Sequence, residues 1–207
     1  MELERRCVDV AGRSLDLLVP PDPEALLDER AFADEEYLPY WAELWPSAFA
    51  LAEALAAAAP ERMLELGCGL GVPSLIAALG GAAVLATDWS PDAVELLPRN
   101  AARVGAALEV RRVAWGDGAG DLGTWPLVAG ADVLYERRNG PQLLALLPRV
   151  VAPGGEAWIA DPGRAAAPAF LEAARADGWA TGAVPHPGPA TVTIHRLTRT
   201  GRSCRGG

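Results

Sequence analysis

The sequence predicts an α/β domain with a doubly wound, mostly parallel sheet ending in an antiparallel hairpin, and three observations carry that expectation. Short apolar runs of strand length alternate five times with helical stretches, the pattern of a parallel sheet covered by helices. Two further strand signals flank a Pro/Gly-rich turn at 185–189 and read as a closing hairpin. Arg62 to Leu66, the first buried strand of the series, breaks into glycines at 67, 69 and 71 before a helix opens at Val72. A strand, a glycine loop and a helix in succession are how open α/β sheets hold nucleotide-like cofactors at the carboxyl ends of their strands.

Composition narrows the class. A chain of 207 residues is long enough for one well-buried domain and short for two. The apolar share of 51% is raised by alanine runs such as 56–59, which mark helix propensity more than bulk. No apolar run reaches the roughly 18 residues that span a bilayer, and the opening residues lack the apolar core of a signal peptide, so a cytoplasmic protein is expected. The net charge of −9 argues against sequence-independent nucleic-acid binding. All 18 basic residues are arginine; without lysine there is no P-loop and no Schiff-base chemistry. Cys7, Cys68 and Cys204 suggest no disulfide framework. His186 and His195 are too few for a zinc site, and no nucleophile elbow is present.

Taken in order, residues 1–37 read as an N-terminal extension, 38–199 as the enzyme-sized domain and 200–207 as a disordered tail. Val8–Val10 and Leu15–Val19 form a candidate hairpin turned at Gly12 and ended by Pro20-Pro21-Asp22-Pro23. The acidic stretch 24–36 reads as a short helix or a solvated lid. Trp41 and Trp45, four apart, would share a helical face. However, Pro46 suits the first turn of a new helix, which leaves Trp45 at the entrance of a helix running to about Ala59. After the glycine loop and its helix, Gly80-Gly81 leads to a strand from Ala82 to Thr87, then Asp88-Trp89. Ser90 caps the next helix, which Pro98 should kink or interrupt before Val104. Leu108–Val113 is the third strand of the alternation and leads to Ala114-Trp115-Gly116. Leu127–Val133 is the fourth, with Asp132 as an acid inside it, costly there unless paired. A helix from Pro141 to Val151 ends at Pro153-Gly154-Gly155. Glu156–Ala160 is the fifth strand, followed by Asp161-Pro162-Gly163-Arg164, a helix over 168–177 and the hairpin strands 179–184 and 191–197.

Glycines at 67, 69 and 71, with Val72 following, depart from the dinucleotide fingerprint, which needs a glycine three residues after its second. Glu65-x-Gly67-x-Gly69-x-Gly71, with Asp88 lying 21 residues beyond Gly67, instead resembles motif I of the class I S-adenosylmethionine (SAM)-dependent methyltransferases. Trp45-Pro46, Ala114-Trp115-Gly116, Gly130-Ala131-Asp132-Val133-Leu134-Tyr135 and Pro153-Gly154-Gly155 follow in the order of the seven-β-strand branch that methylates lysines on specific proteins. Asp161-Pro162-Gly163-Arg164, together with Pro39-Tyr40-Trp41, is similar to members acting on the electron-transfer flavoprotein β-subunit. The similarity covers about residues 38–197. It departs at Pro126, where the branch usually has an acid. The Asn/Asp-Pro-Pro-Tyr motif of adenine and glutamine methylation is absent.

The resemblance implies a Rossmann-like, seven-stranded sheet, SAM as cofactor and a role for each matched position. Backbone around Gly67, Cys68, Gly69 and Gly71 would approach the methionine part of SAM, with Glu65 supporting the loop. Asp88 would hold the ribose hydroxyls, Trp89 or Trp115 would flank adenine, and Ala114 is a further cofactor-binding position. Ala131 would line the pocket and Trp45 would cover the cofactor. Asp132 and Tyr135 are the candidates for orienting the acceptor. A protein lysine is the first expected acceptor; a small amine or heterocycle, a non-catalytic SAM-binding scaffold and, least, an NAD enzyme are the alternatives. No nucleic-acid or membrane partner and no metal is expected, and the oligomeric state is left open.

Overall fold

The computed structural model describes residues 1–23, 39–116 and 120–199. The expected acidic segment 24–36 and the tail from Thr200 lie outside the described residues, as do residues 117–119. Within these bounds the chain forms a two-stranded sheet and a seven-stranded sheet.

Strands β1 (Glu4–Val10) and β2 (Arg13–Val19) make the small antiparallel sheet, turned by Ala11 and Gly12 at φ 51° and 71°. Two positive φ values give the tight turn whose twist suits a hairpin. Its apolar side, Val10, Leu15, Leu17 and Val19, is buried against the body of the protein. Asn100, fully buried, fixes the docking: its Oδ1 accepts from the Leu18 amide at 2.7 Å and its Nδ2 donates to the Leu18 carbonyl at 3.0 Å.

The large sheet contains β3 (Arg62–Leu66), β4 (Ala83–Asp88), β5 (Glu109–Arg112), β6 (Trp125–Ala131), β7 (Val151–Asp161), β8 (Trp179–Val184) and β9 (Thr193–Arg199). Their order is β5-β4-β3-β6-β7-β9-β8; β5 to β7 run parallel and β9 is antiparallel to both β7 and β8. This is the mostly parallel seven-stranded sheet with its closing antiparallel hairpin. Helices α1 (Pro46–Ala58), α2 (Val72–Leu79) and α3 (Pro91–Val104) cover one face, while α4 (Asn139–Val150) and α5 (Ala167–Ala176) cover the other. Strand alternation sorts the side chains: Met63 joins the core beneath α1 and α2, whereas Leu64 and Leu66 join the core beneath α4 and α5. The order reverses between β3 and β6, and in such sheets ligands bind in the crevice at the carboxyl ends flanking the reversal.

Three expectations change. Strand β6 starts and stops two residues early, so Asp132 is not inside a strand. It stands just past the carboxyl end, at φ 53°, with its amide donating to the Ala160 carbonyl at 2.8 Å. Pro153-Gly154-Gly155 does not separate a helix from a strand. Helix α4 passes directly into β7, and the motif forms a bulge, with Trp125 opposite Val151 and Leu127 opposite Glu156. A Cβ on Gly155 would meet the Pro126 carbonyl at 2.8 Å, so the bulge needs glycine there. Finally, Pro98 does not interrupt α3, which is continuous from Pro91 to Val104. The missing amide falls on the exposed side, while burial of Ala93, Leu96, Leu97, Asn100 and Ala101 holds the helix together.

Candidate functional site

The crevice at the switch point is an open cleft. It is lined from the ends of β3, β4 and β6, from the loop after β5, from Arg164 beyond β7, and from residues 40–48 before and at the start of α1.

One end is made by the glycine loop. Gly67, Gly69 and Gly71 all have positive φ, at 70°, 49° and 81°. Gly69 shows why a side chain is excluded: its Cβ would lie 2.9 Å from the Trp41 carbonyl oxygen, which is backbone and cannot swing away. At Gly67 the Cβ would press on Trp115 and Val133, each at 3.2 Å, filling the cleft floor. The loop is tied to β4 by the Cys68 amide donating to the Thr87 carbonyl at 2.9 Å. Glu65 is buried beneath it and accepts from the Ser74 amide at 3.0 Å and from the Ser74 hydroxyl, clamping the first turn of α2 to the strand. Burial pushes its carboxyl pKa up to about 8 against the two Ser74 hydrogen bonds. Cys68 is likewise buried, which pushes its thiol well above the ordinary range, so it packs and is not a nucleophile.

Asp88 ends β4 with its side chain buried. Its Oδ2 accepts from the Gly69 amide and its Oδ1 from the Ser90 amide, both at 2.9 Å. Burial raises its pKa, and the backbone amides oppose that rise. The carboxylate therefore locks the glycine loop to the end of β4.

The other end is aromatic and ion-paired. Asp132, buried, receives a two-pronged ion pair from Arg164: Nε to Oδ1 and Nη2 to Oδ2, both at 2.8 Å. Arg164 lies with its guanidinium carbon 5.7 Å from the centre of the Trp45 ring. Tyr40 sits 4.7 Å from Tyr135 and 6.4 Å from Trp45, ring centre to ring centre, and the Trp45 indole donates to the Tyr40 carbonyl at 2.8 Å. Burial holds the Tyr135 hydroxyl well above its usual pKa, so it stays protonated.

Of the residues singled out in the sequence, Trp45, Glu65, Gly67, Cys68, Gly69, Gly71, Asp88, Trp89, Trp115, Ala131, Asp132 and Tyr135 all line this cleft. Ala114 does not. It lines an adjoining recess that shares Trp89, Trp115 and Tyr135 with the cleft and adds Asn139 and Gln142. Arg164, Tyr40 and Trp41 line the cleft without having been assigned a role. Arg164 had a signal, since it sits at the carboxyl end of the strand beside β6, but only strand order brings it to Asp132. His186 lies elsewhere, in the loop before β9, accepting from the Gly188 amide and paired with the Val192 carbonyl.

A profile described as lysine methyltransferase matches residues 40–172, which contain the whole cleft. The chain belongs to the lysine methyltransferase family. The family is SAM-dependent, which makes SAM its cofactor. Relatives include EEF1A lysine methyltransferase 3 of Mus musculus, 36% identical over 51% of this chain and 47% of that one. Another is the electron transfer flavoprotein beta subunit lysine methyltransferase of Xenopus laevis, 33% identical over 61% of this chain and 54% of that one. The chain spans about half the length of the curated relatives it matches. Among solved structures, a TehB-like SAM-dependent methyltransferase from Corynebacterium glutamicum superposes with a TM-score of 0.62 at 17% identity, covering 76% of this chain and 89% of that one. At that identity the likeness concerns the fold, which is the Rossmann-like methyltransferase fold.

The residues fit SAM. The glycine cradle would be filled by any Cβ at Gly67 or Gly69, Asp88 offers a buried carboxylate at the end of β4 for a diol, and Trp89 and Trp115 supply flat faces. Among the described residues no helix is long and apolar enough to cross a membrane.

Proposed function

We propose that this chain is a SAM-dependent N-methyltransferase acting on lysine side chains of a specific protein. The reading is supported above all by one cleft that has a glycine cradle and a buried carboxylate at one end and a closed, ion-paired aromatic end at the other. The transferase unit is taken as 38–199, with 1–37 as an N-terminal extension whose hairpin docks on α3.

When bound, SAM supplies a methyl group already activated by the sulfonium. The chain's own residues then have to bind and orient. Backbone at Gly67–Gly71 receives the methionine portion, and Glu65 keeps that loop in place through Ser74. Asp88 accepts from the ribose hydroxyls, Trp89 and Trp115 flank the adenine, Ala114 borders its outer side, Ala131 lines the floor and Trp45 covers the cofactor. The acceptor nitrogen must present a lone pair along the line of the methyl–sulfur bond. A lysine of ordinary pKa needs about 4.6 kcal/mol to be neutral at pH 7, and partial burial beside Tyr40 and Tyr135 lowers that cost. The protonated Tyr135 hydroxyl orients the amine, and Asp132 acts through its pair with Arg164.

Two measurements test this. Calorimetry with SAM and with NAD should give heat for SAM alone; binding of NAD and not SAM would overturn the cofactor assignment. Incubation with methyl-labelled SAM and a cell lysate should label a small number of protein bands, whereas label confined to small metabolites would move the acceptor to a free amine.

A further inference from the structure

We propose that Arg164 is a specificity determinant of the acceptor end: by occupying both oxygens of Asp132 it leaves that buried carboxylate with neither oxygen open to a cation, so that an uncharged amine is admitted in preference to a fixed cation. The proposal rests on the transferase reading above and extends it to the protonation state of the acceptor.

The geometry is over-determined. Asp132 is held at φ 53°, a conformation unusual for a residue with a side chain, by the bond from its amide to Ala160, and its carboxylate is 3% exposed. Arg164 is fixed at both ends. Its backbone amide donates to Asp161 Oδ2 at 2.9 Å, in the turn closed by Gly163, and its guanidinium forks onto Asp132 while lying over Trp45. A planar fork matched to a carboxylate in this way is a task lysine cannot perform.

The other charged groups around the cleft differ in how they are engaged. From β7, Asp161 takes the Gly163 and Arg164 amides on Oδ2, while its buried Oδ1 has no hydrogen-bond partner among the described residues. From the segment after β6, Glu136 pairs with Arg138 at 2.6 Å. Glu43 is exposed and lines the same cleft, Glu65 and Asp88 belong to the opposite end, and Tyr40 and Tyr135 line the cleft with the pair.

The chemistry follows from removing the arginine in thought. Tyr40, Trp45, Tyr135 and an unpaired Asp132 would together form an aromatic and anionic trap for a cation. A lysine ammonium held there as an ion pair has no lone pair to give. With Arg164 in place, a second cation meets repulsion from the guanidinium and finds both oxygens of Asp132 taken, while a neutral amine meets neither penalty. The acceptor class is then an amine that can shed its proton: a lysine side chain and its mono- and dimethylated forms. A guanidinium and a quaternary ammonium are excluded, so a trimethylated product would be expelled.

The test uses tetramethylammonium, a cation that cannot lose its charge, titrated by tryptophan fluorescence into wild-type protein, Arg164→Gln and Arg164→Lys, each with and without S-adenosylhomocysteine. The glutamine variant should bind it about tenfold more tightly than wild type, and the lysine variant, which keeps the charge but not the fork, should fall between the two. Equal affinity in wild type and Arg164→Gln, including equal absence of binding, would overturn the proposal. Arg164→Met, which keeps the stem over Trp45, repeats the comparison should the glutamine variant not fold. In the labelled-lysate assay, the rising limb of methyl transfer, where the acceptor loses its proton, should move up by about one pH unit in Arg164→Gln, while an unchanged limb with a lower rate would mean a purely structural role. Affinity for S-adenosylhomocysteine should be the same in all three proteins. Its absence from wild type would count against the cofactor assignment alone, since the tetramethylammonium titration without it still decides the role of Arg164.

Discussion

The glycine-loop end of the cleft is made mostly of backbone, whereas the Asp132–Arg164 end is made of side chains that meet from three separate stretches of chain. At the first end, positive-φ glycines bring main chain to the cleft surface, and the two acidic side chains, Glu65 and Asp88, take hydrogen bonds from the Gly69, Ser74 and Ser90 amides and the Ser74 hydroxyl. At the second, residues 40–45, 131–135 and 164 converge, and the contacts are ring to ring and guanidinium to carboxylate. A site built on backbone tolerates few substitutions because its shape is fixed by φ/ψ and close approach. A site built on side chains can change specificity one residue at a time without disturbing the cofactor.

That contrast can be broken by mutations that cross it. Asp88→Ala should have the largest effect, lowering SAM affinity about a hundredfold, because charge-assisted hydrogen bonds worth about 1.5–3 kcal/mol each are lost; unchanged affinity by calorimetry would refute the ribose assignment. Gly69→Ala should lower SAM affinity about tenfold and stability by about 1–3 kcal/mol, since both the positive φ and the Trp41 carbonyl oppose the methyl group; thermal melting with and without SAM separates the two. Asp132→Asn should reduce methyl transfer about tenfold while leaving SAM affinity within about twofold; a parallel loss of SAM binding would mean the two ends are not separable. Trp45→Phe should cost about 0.5–1 kcal/mol, through loss of the hydrogen bond to Tyr40 and weaker stacking on Arg164.

Glu65 sharpens the comparison through pH. Its folded pKa, about 8, lies above the ordinary 4.5, so the folded state holds the extra proton between these values. Its contribution to stability is therefore fully present below pH 4.5 and is lost as pH rises through 8. Glu65→Gln, which keeps an acceptor for Ser74 but cannot ionise, should flatten the fall in the urea midpoint across that window; an identical fall in both proteins would place the titrating group elsewhere.

How legible each end was follows from the same difference. The loop, Asp88 and the caps at Ser90 and Pro46 are local in the chain, so spacing alone indicated them. The hairpin was equally local, in its turn at Ala11-Gly12 and the alternation of β2. What sequence spacing missed was non-local. Asp132 lies outside its strand because β6 pairs with a bulged β7, and the bulge depends on Gly155 meeting the Pro126 carbonyl, a contact between distant residues. Pro98 sits within a helix because Asn100 and two leucines are buried beside it. The pairing of Arg164 with Asp132 requires knowing that β6 and β7 are neighbours.

The central claim is that the methyl group of SAM ends on lysine nitrogen in a protein. Because the chain itself contains no lysine, methyl-lysine cannot arise from side chains of the enzyme. Mass spectrometry of hydrolysed lysate protein, after incubation with the enzyme and isotope-labelled SAM, is the direct measurement. Label in mono-, di- or trimethyl-lysine that disappears with Asp88→Ala would bear the account out; label found only in methyl-arginine or in free small amines would contradict it.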